Sequence, residues 1–148
     1  MSPVTEIVVD TVVLQKANAP IQPPLREGSK IARRVCVLKR IRSGDWIVLI
    51  SERLLEEYRE HVREPRNDFV RAFFEIVSDP QRRVLNWKTP WSGSLRVKAR
   101  KCRFPSEDKH VLRTAIRPDP SAIVTEEDRM LRSHKCILRE FRVSIIPP

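Results

Sequence analysis

The chain has 148 residues, 41% hydrophobic and 32% charged, a size and balance that suit one globular domain spanning residues 1–148 and argue against two independent ones. Its longest apolar runs, such as WIVLI at residues 46–50, are too short to cross a bilayer, and the N-terminus lacks a basic start and an apolar run before a cleavage site, so a cytoplasmic protein with no membrane partner is expected. Lys and Arg number 29 against 19 Asp and Glu, a formal net charge of +10, which favours a polyanionic partner, with nucleic acid ahead of an anionic membrane or an acidic protein.

In chain order, EIVVDTVVL at residues 6–14 is a β-branched run ending near Asp10, and its unbroken apolar character predicts a strand buried on both faces. A Pro-rich loop follows. Residues 29–44 carry Ile31, Val35, Leu38 and Ile41 at helical spacing with Gly44 as a stop. Residues 45–50 predict a second buried strand, and 51–65 a helix with Ser51 as N-cap and Pro65 beyond its end. Another amphipathic helix is expected over 67–80, then an irregular basic region over 81–103. A helix opened by Ser106 over 106–116, a strand over 121–125, a short helix over 126–134 and a final strand over 141–147 complete the pattern. Alternating buried strands and helices imply right-handed crossovers and a mostly parallel α/β sheet covered on both faces. In such sheets the ligand site lies outside the carboxyl ends of the strands.

Four acids attract attention there. Asp10 ends the first strand. On the helix after Ser51, the stripe Leu54, Leu55, Tyr58 and Val62 leaves Glu56 outside and Glu57 on its border; Asp108 falls within the stripe of Val111, Leu112 and Ala115. Glu127 lies between Met130 and Leu131 on the apolar side, with Asp128 displaced towards solvent. Unpaired carboxylates gathered at a buried face would repel and be poorly solvated, and a divalent cation resolves that conflict. Oxygen ligands without His or Cys select Mg2+ or Mn2+ over zinc, an arrangement suited to in-line attack on a phosphodiester. Against this, acids in a first helical turn also offset the helix dipole, which accounts for Glu107, Asp108, Glu126, Glu127 and Asp128 without any metal.

Smaller candidates carry less. Cys36, Cys102 and Cys136 are odd in number and widely spaced, so they read as buried small apolar residues rather than a disulfide framework or a zinc site. His61, His110 and His134 lie on or near apolar helix sides without a metal-ligand spacing and read as packed or hydrogen-bonded histidines. Ser51 and Thr125 look like caps, although Thr11 and Thr125 could also orient acids. No Gly-rich phosphate loop, G-x-S-x-G or Cys–His frame is present, so NTPase, esterase and thiol protease chemistries are unsupported.

The residues 80–106 contain no acid, while Arg82, Arg83, Lys88, Arg96, Lys98, Arg100, Lys101 and Arg103 surround Trp87 and Trp91. Such charges with interleaved aromatics fit single-stranded RNA. SLRVKARK at residues 94–101 alternates apolar and basic positions and, if extended, would present one basic face.

Taken in order, IVVDTVVL, LISERLLEEYREHV, FPSEDKHVLRTAI, AIVTEEDRML and FRVSIIPP resemble the PIN domain nucleases, in particular those described as toxins of toxin–antitoxin pairs. The resemblance covers nearly the whole chain, with residues 81–103 unmatched. It implies a three-layer α/β/α fold with a five-stranded parallel sheet, and an Mg2+- or Mn2+-dependent ribonuclease. Asp10, Glu57 and Asp108 would be its metal-binding and catalytic acids, with Glu127 or, by a one-residue slip, Asp128 as the fourth. An antitoxin protein and a homodimeric partner are further implications. Two departures stand out: the family usually has a polar residue where this chain has Val12, and Asp where it has Glu127. They make a catalytically weak RNA-binding or antitoxin-binding module the alternative. An unrelated doubly wound domain whose acids only serve helix dipoles is the third reading.

Overall fold

The buried β-branched runs become short parallel strands. The computed structural model describes residues 3–86 and 91–148. Within them β1 (Glu6–Val9), β2 (Ile47–Ile50), β3 (Arg83–Leu85), β4 (Ser121–Val124) and β5 (Val143–Ile146) form one sheet in the order β3-β2-β1-β4-β5, with every neighbouring pair parallel. Residues 7–9, 48–50 and 121–124 are all buried, as strands sandwiched between helices must be.

The connections are helical: α1 (Thr11–Ala17) and α2 (Lys30–Ser43), then α3 (Glu52–His61) and α4 (Asp68–Val77), then α5 (Gly93–Lys101) and α6 (Lys109–Ala115), then α7 (Asp128–Arg132) and α8 (His134–Phe141). Right-handed crossovers put the β1-to-β3 connections on one face and the β3-to-β5 connections on the other, giving three layers. The first four helices pack on one another, α6 lies across β1, β2 and β4, and α8 covers β5. Helix starts are written into the chain by Ser29, Ser51, Asn67 and Ser92, whose side chains accept from the backbone N–H of Ala32, Leu54, Val70 and Leu95. Gly44 ends α2 at φ +86°, in the left-handed region that glycine adopts without strain.

Several expectations change. Residues 81–103 are not irregular: they contain β3, too short to show alternation, and α5. SLRVKARK is helical because Ser92 caps it and Arg, Lys, Leu and Ala favour the helix; only Ala99 of α5 is buried, so the sequence lacks a helical stripe. The run after Asp10 belongs to α1, since the Asp10 carbonyl accepts from the Val13 N–H at 3.0 Å and turns the chain. Ser106 caps nothing with its side chain; Ser106–Asp108 is a 3-10 turn leading into α6. The helix expected over 126–134 begins at Asp128, and α8, with Ile137 and Phe141 buried one turn apart, follows it unforeseen.

Cys102 and Cys136 are joined in a disulfide between the C-terminal end of α5 and α8, with Cα atoms 5.3 Å apart, and Cys36 is free and exposed. Sequence spacing carried no information on that proximity. His61 and His134 are exposed rather than packed, while His134 Nδ1 lies 2.8 Å from Leu131 O and His110 is hydrogen-bonded to Glu57. Among the described residues no helix is long and apolar enough to cross a membrane.

Candidate metal centre

The sheet order reverses between β1 and β4, where a doubly wound sheet opens its ligand crevice. The backbone ladder runs one residue past both strands: the Asp10 N–H donates to Val124 O at 2.9 Å and the Thr125 N–H to Ile146 O at 3.0 Å. Asp10 and Thr125 therefore sit side by side on a rigid support. The Thr125 hydroxyl accepts from the Glu127 N–H at 3.0 Å and donates to Asp10 Oδ2 at 2.7 Å, so its proton has one direction to point. Thr125 is an acid-orienting residue rather than a cap by this geometry.

Asp10 is buried, and burial raises its carboxyl above the usual range; the charges of Glu57 and Glu127 push the same way, against hydrogen bonds from Thr125 and the Thr11 backbone. Asp108 shows the same conflict more strongly. It is pushed up to about 6, first by burial and then by the charges of Asp10, Glu107 and Glu127, with His110 acting in the opposite direction. The charges of Glu57 and Glu127 are thus felt at Asp10, and those of Asp10 and Glu127 at Asp108, across the ends of β1 and β4, α3 and the Asp108 turn. Asp128 is exposed and takes no part in these shifts.

The four are not equivalent. Glu57 Oε2 lies 2.7 Å from His110 Nε2. Glu127 is the N-cap of α7, accepting from the Met130 N–H at 2.9 Å, and it pairs with Arg129 Nε at 3.2 Å. Arg129 also pairs with Glu107. Asp10 and Asp108 have no ion pair among the described residues, and beside Asp10 the buried Thr11 hydroxyl has no hydrogen-bond partner.

Packing explains how the pieces are held. Tyr58 is fully buried, sets its ring edge-on to Phe73 at 5.5 Å, and donates its hydroxyl to Val9 O. Burial and the charges of Asp10 and Glu57 raise the phenol far above its ordinary value, so it stays protonated. This contact pins α3 to the end of β1 and places Glu57. Ser51 caps α3, and its hydroxyl meets that of Thr114 at 2.9 Å. Arg34 makes a two-pronged pair with Glu126 at 2.7 and 2.8 Å, fixing the loop that carries Thr125 and Glu127 to α2.

The donor set suits a hard cation. It offers oxygen atoms alone: two carboxylates with no ion pair among the described residues, and a buried hydroxyl with no hydrogen-bond partner there. No group of three or more His, Cys, Asp or Glu that could hold a metal ion forms among the described residues. Mg2+ commonly takes only one or two carboxylates and completes its shell with water and phosphate oxygens. Asp10 and Asp108 would be those two, with Glu57 and Glu127 acting through their present hydrogen bonds. His110, Tyr58 and Arg129 were not singled out from sequence for this site; the His110–Glu57 pair spans 53 residues, beyond any local pattern.

The basic residues divide. Arg82 donates to Arg42 O at 2.7 Å, capping the C-terminal end of α2, and Arg83 begins β3; both lie at the amino end of the sheet, away from the acids. Arg96, Lys98, Arg100 and Lys101 are on α5 and Arg103 just beyond it. Lys101 approaches Glu140 at 3.9 Å. Lys88 and Trp87 lie outside the described residues. Val12 is 37% exposed on α1.

Comparison of the chain with protein-family models, curated proteins and solved structures returns no match.

Proposed function

We propose that the chain is a metal-dependent endoribonuclease of PIN type, working in the cytoplasm. The observation that carries this reading is the pair Asp10, buried, and Asp108, half-buried, at the switch-point side of a parallel sheet, with raised pKa values and no ion pair among the described residues. The five-stranded parallel sheet agrees with what the resemblance implies. Bound there, Mg2+ or Mn2+ would supply Lewis-acid stabilisation of charge developing on the phosphodiester and activation of water. Thr125 holds the Asp10 carboxylate in place, Tyr58 positions α3, and His110 holds Glu57. The toxin role, an antitoxin partner and a homodimer belong to the same reading.

The test is cleavage of a mixed single-stranded and hairpin RNA pool with Mn2+ by wild type, Asp108→Asn and an EDTA control. Cleavage lost in both controls is the expected result. RNA bound at low salt but left intact by wild type would favour the second reading, a binding module. That reading draws on Glu127, whose carboxylate is already engaged as a helix cap, and on Val12.

A further inference from the structure

Two clefts open beside the carboxylates and share Trp91, Ser106 and Lys109 in their walls. The larger, about 630 Å³, reaches His110, the residue that holds Glu57. The smaller, about 330 Å³, runs along α5 past Arg96 and Arg100 and has no acid in its lining. Together they make one groove from α5 to the edge of the acid cluster. Two acids, Glu52 and Glu107, line the larger cleft, where Glu107 pairs with Arg129 and Arg53 and Arg113 add positive charge. Trp91 packs against the core yet lines both clefts, so it is an aromatic surface already fixed in place at their junction.

We propose that this groove binds a single strand of nucleic acid, with one base stacked on Trp91 and phosphates met by Arg96, Arg100 and Lys109. The groove itself stands on these residues alone; only the direction of delivery, towards Asp10 and Asp108, rests on the nuclease reading. Cations spaced along a groove around an aromatic platform match a chain that alternates phosphates and stacking faces. A duplex keeps its bases stacked on one another and offers Trp91 no free face. An acidic peptide would satisfy the cations and leave the ring unused. The assignment also separates Arg96 and Arg100 from Arg82 and Arg83, which equal numbers of charges in the sequence could not do.

The test is fluorescence anisotropy of a labelled oligouridylate of about twelve nucleotides, within the usual site size of such grooves, titrated with the full chain in EDTA at several salt concentrations. The Arg96→Ala/Arg100→Ala double variant, changed at exposed positions, should bind about ten-fold or more weakly. Its salt slope should fall by about 1.4, the value for two lost single-strand phosphate contacts. Trp91→Leu should weaken binding about 5- to 150-fold with the slope unchanged, and Trp91→Phe should restore most of it. Arg82→Ala should bind as wild type. An oligothymidylate that binds equally assigns recognition to the shared backbone and bases, and a preference for the RNA assigns a contact to the 2′-hydroxyl; either supports the groove. Unchanged affinity in the double variant, or equal competition by a duplex, overturns it. Because binding is read without metal, a chain that binds here yet leaves RNA intact in the Mn2+ assay refutes the nuclease and leaves the groove. Cleavage lost in Asp108→Asn together with unaltered binding by the double variant does the reverse.

Discussion

The two ends of the sheet handle charge in opposite ways. At the amino end, Glu6 pairs with Arg117 at 3.4 Å and Arg82 rests on the carbonyls that end α2. At the carboxyl end, Asp10 and Asp108 sit partly or wholly out of water without such partners, and neighbouring acids raise their pKa values further. Both ends draw on the same residue types and the same backbone supports. The difference teaches that the fold can satisfy carboxylates locally: Arg83 Nε is left buried without a partner at the amino end, but the carboxylates lacking an ion pair gather at the crevice where a parallel sheet takes ligands. Unsatisfied charge lowers stability in the absence of a counter-ion and is retained where binding restores the balance.

The contrast can be broken most sharply by activity. Asp10→Asn and Asp108→Asn should each reduce Mn2+-dependent RNA cleavage by more than about 100-fold, since changes to groups outside the direct ligands already cost about 10- to 100-fold. Glu57→Gln and Glu127→Gln should fall within that lesser range, measured on the same substrate. A larger loss in the second pair would make all four acids direct ligands.

Stability gives the next effect. A carboxyl with a raised folded pKa binds its proton more tightly when folded, so it lowers stability as pH climbs from the unfolded value near 3.8 to about 6. Metal-free Asp108→Asn should therefore melt higher than wild type at pH 7.5 and lose that advantage at pH 4, by circular dichroism. Mn2+ should raise the wild-type Tm more at pH 7.5 than at pH 5, because protons compete for the same oxygens. The smallest effect is expected at the satisfied end: Glu6→Gln should cost about 1 kcal/mol or less and leave cleavage unchanged.

Much of the frame was legible because it follows from local rules. The strands β1, β2 and β4 announce themselves as apolar runs, and Ser51 and Gly44 mark helix ends by their own chemistry. Asp10 was visible as the charge that ends an apolar run, whereas Asp108 drew notice for a place within a helical stripe and in fact lies in the 3-10 turn before α6. Glu127 shows the limit. Its position in a first turn fits a cap and a metal acid equally, and the structure makes it a cap whose charge is still felt by Asp10 and Asp108. The helix α5 was missed because nearly all of it faces outward, and a helix without a buried side leaves no periodic trace. The pairs His110–Glu57, Arg34–Glu126 and Cys102–Cys136 join distant segments, and single-sequence periodicity is blind to such contacts.

The disulfide bears on how the centre assembles. Cys102 and Cys136 are 34 residues apart, and the segment between them carries Asp108, His110, Thr125 and Glu127. Closing a loop of that length removes denatured-state entropy amounting to about 4 kcal/mol in the chain-entropy treatment. Gathering groups that repel one another is the step that most needs such help. The oxidised chain keeps Asp108 and Glu127 within one tethered loop even when unfolded, whereas Asp10 and Glu57 must find it from outside. Such bonds are common in intracellular proteins of hyperthermophiles and in oxidising compartments and rare in other cytoplasms, so the compartment's redox state decides whether this tether is closed while the chain folds.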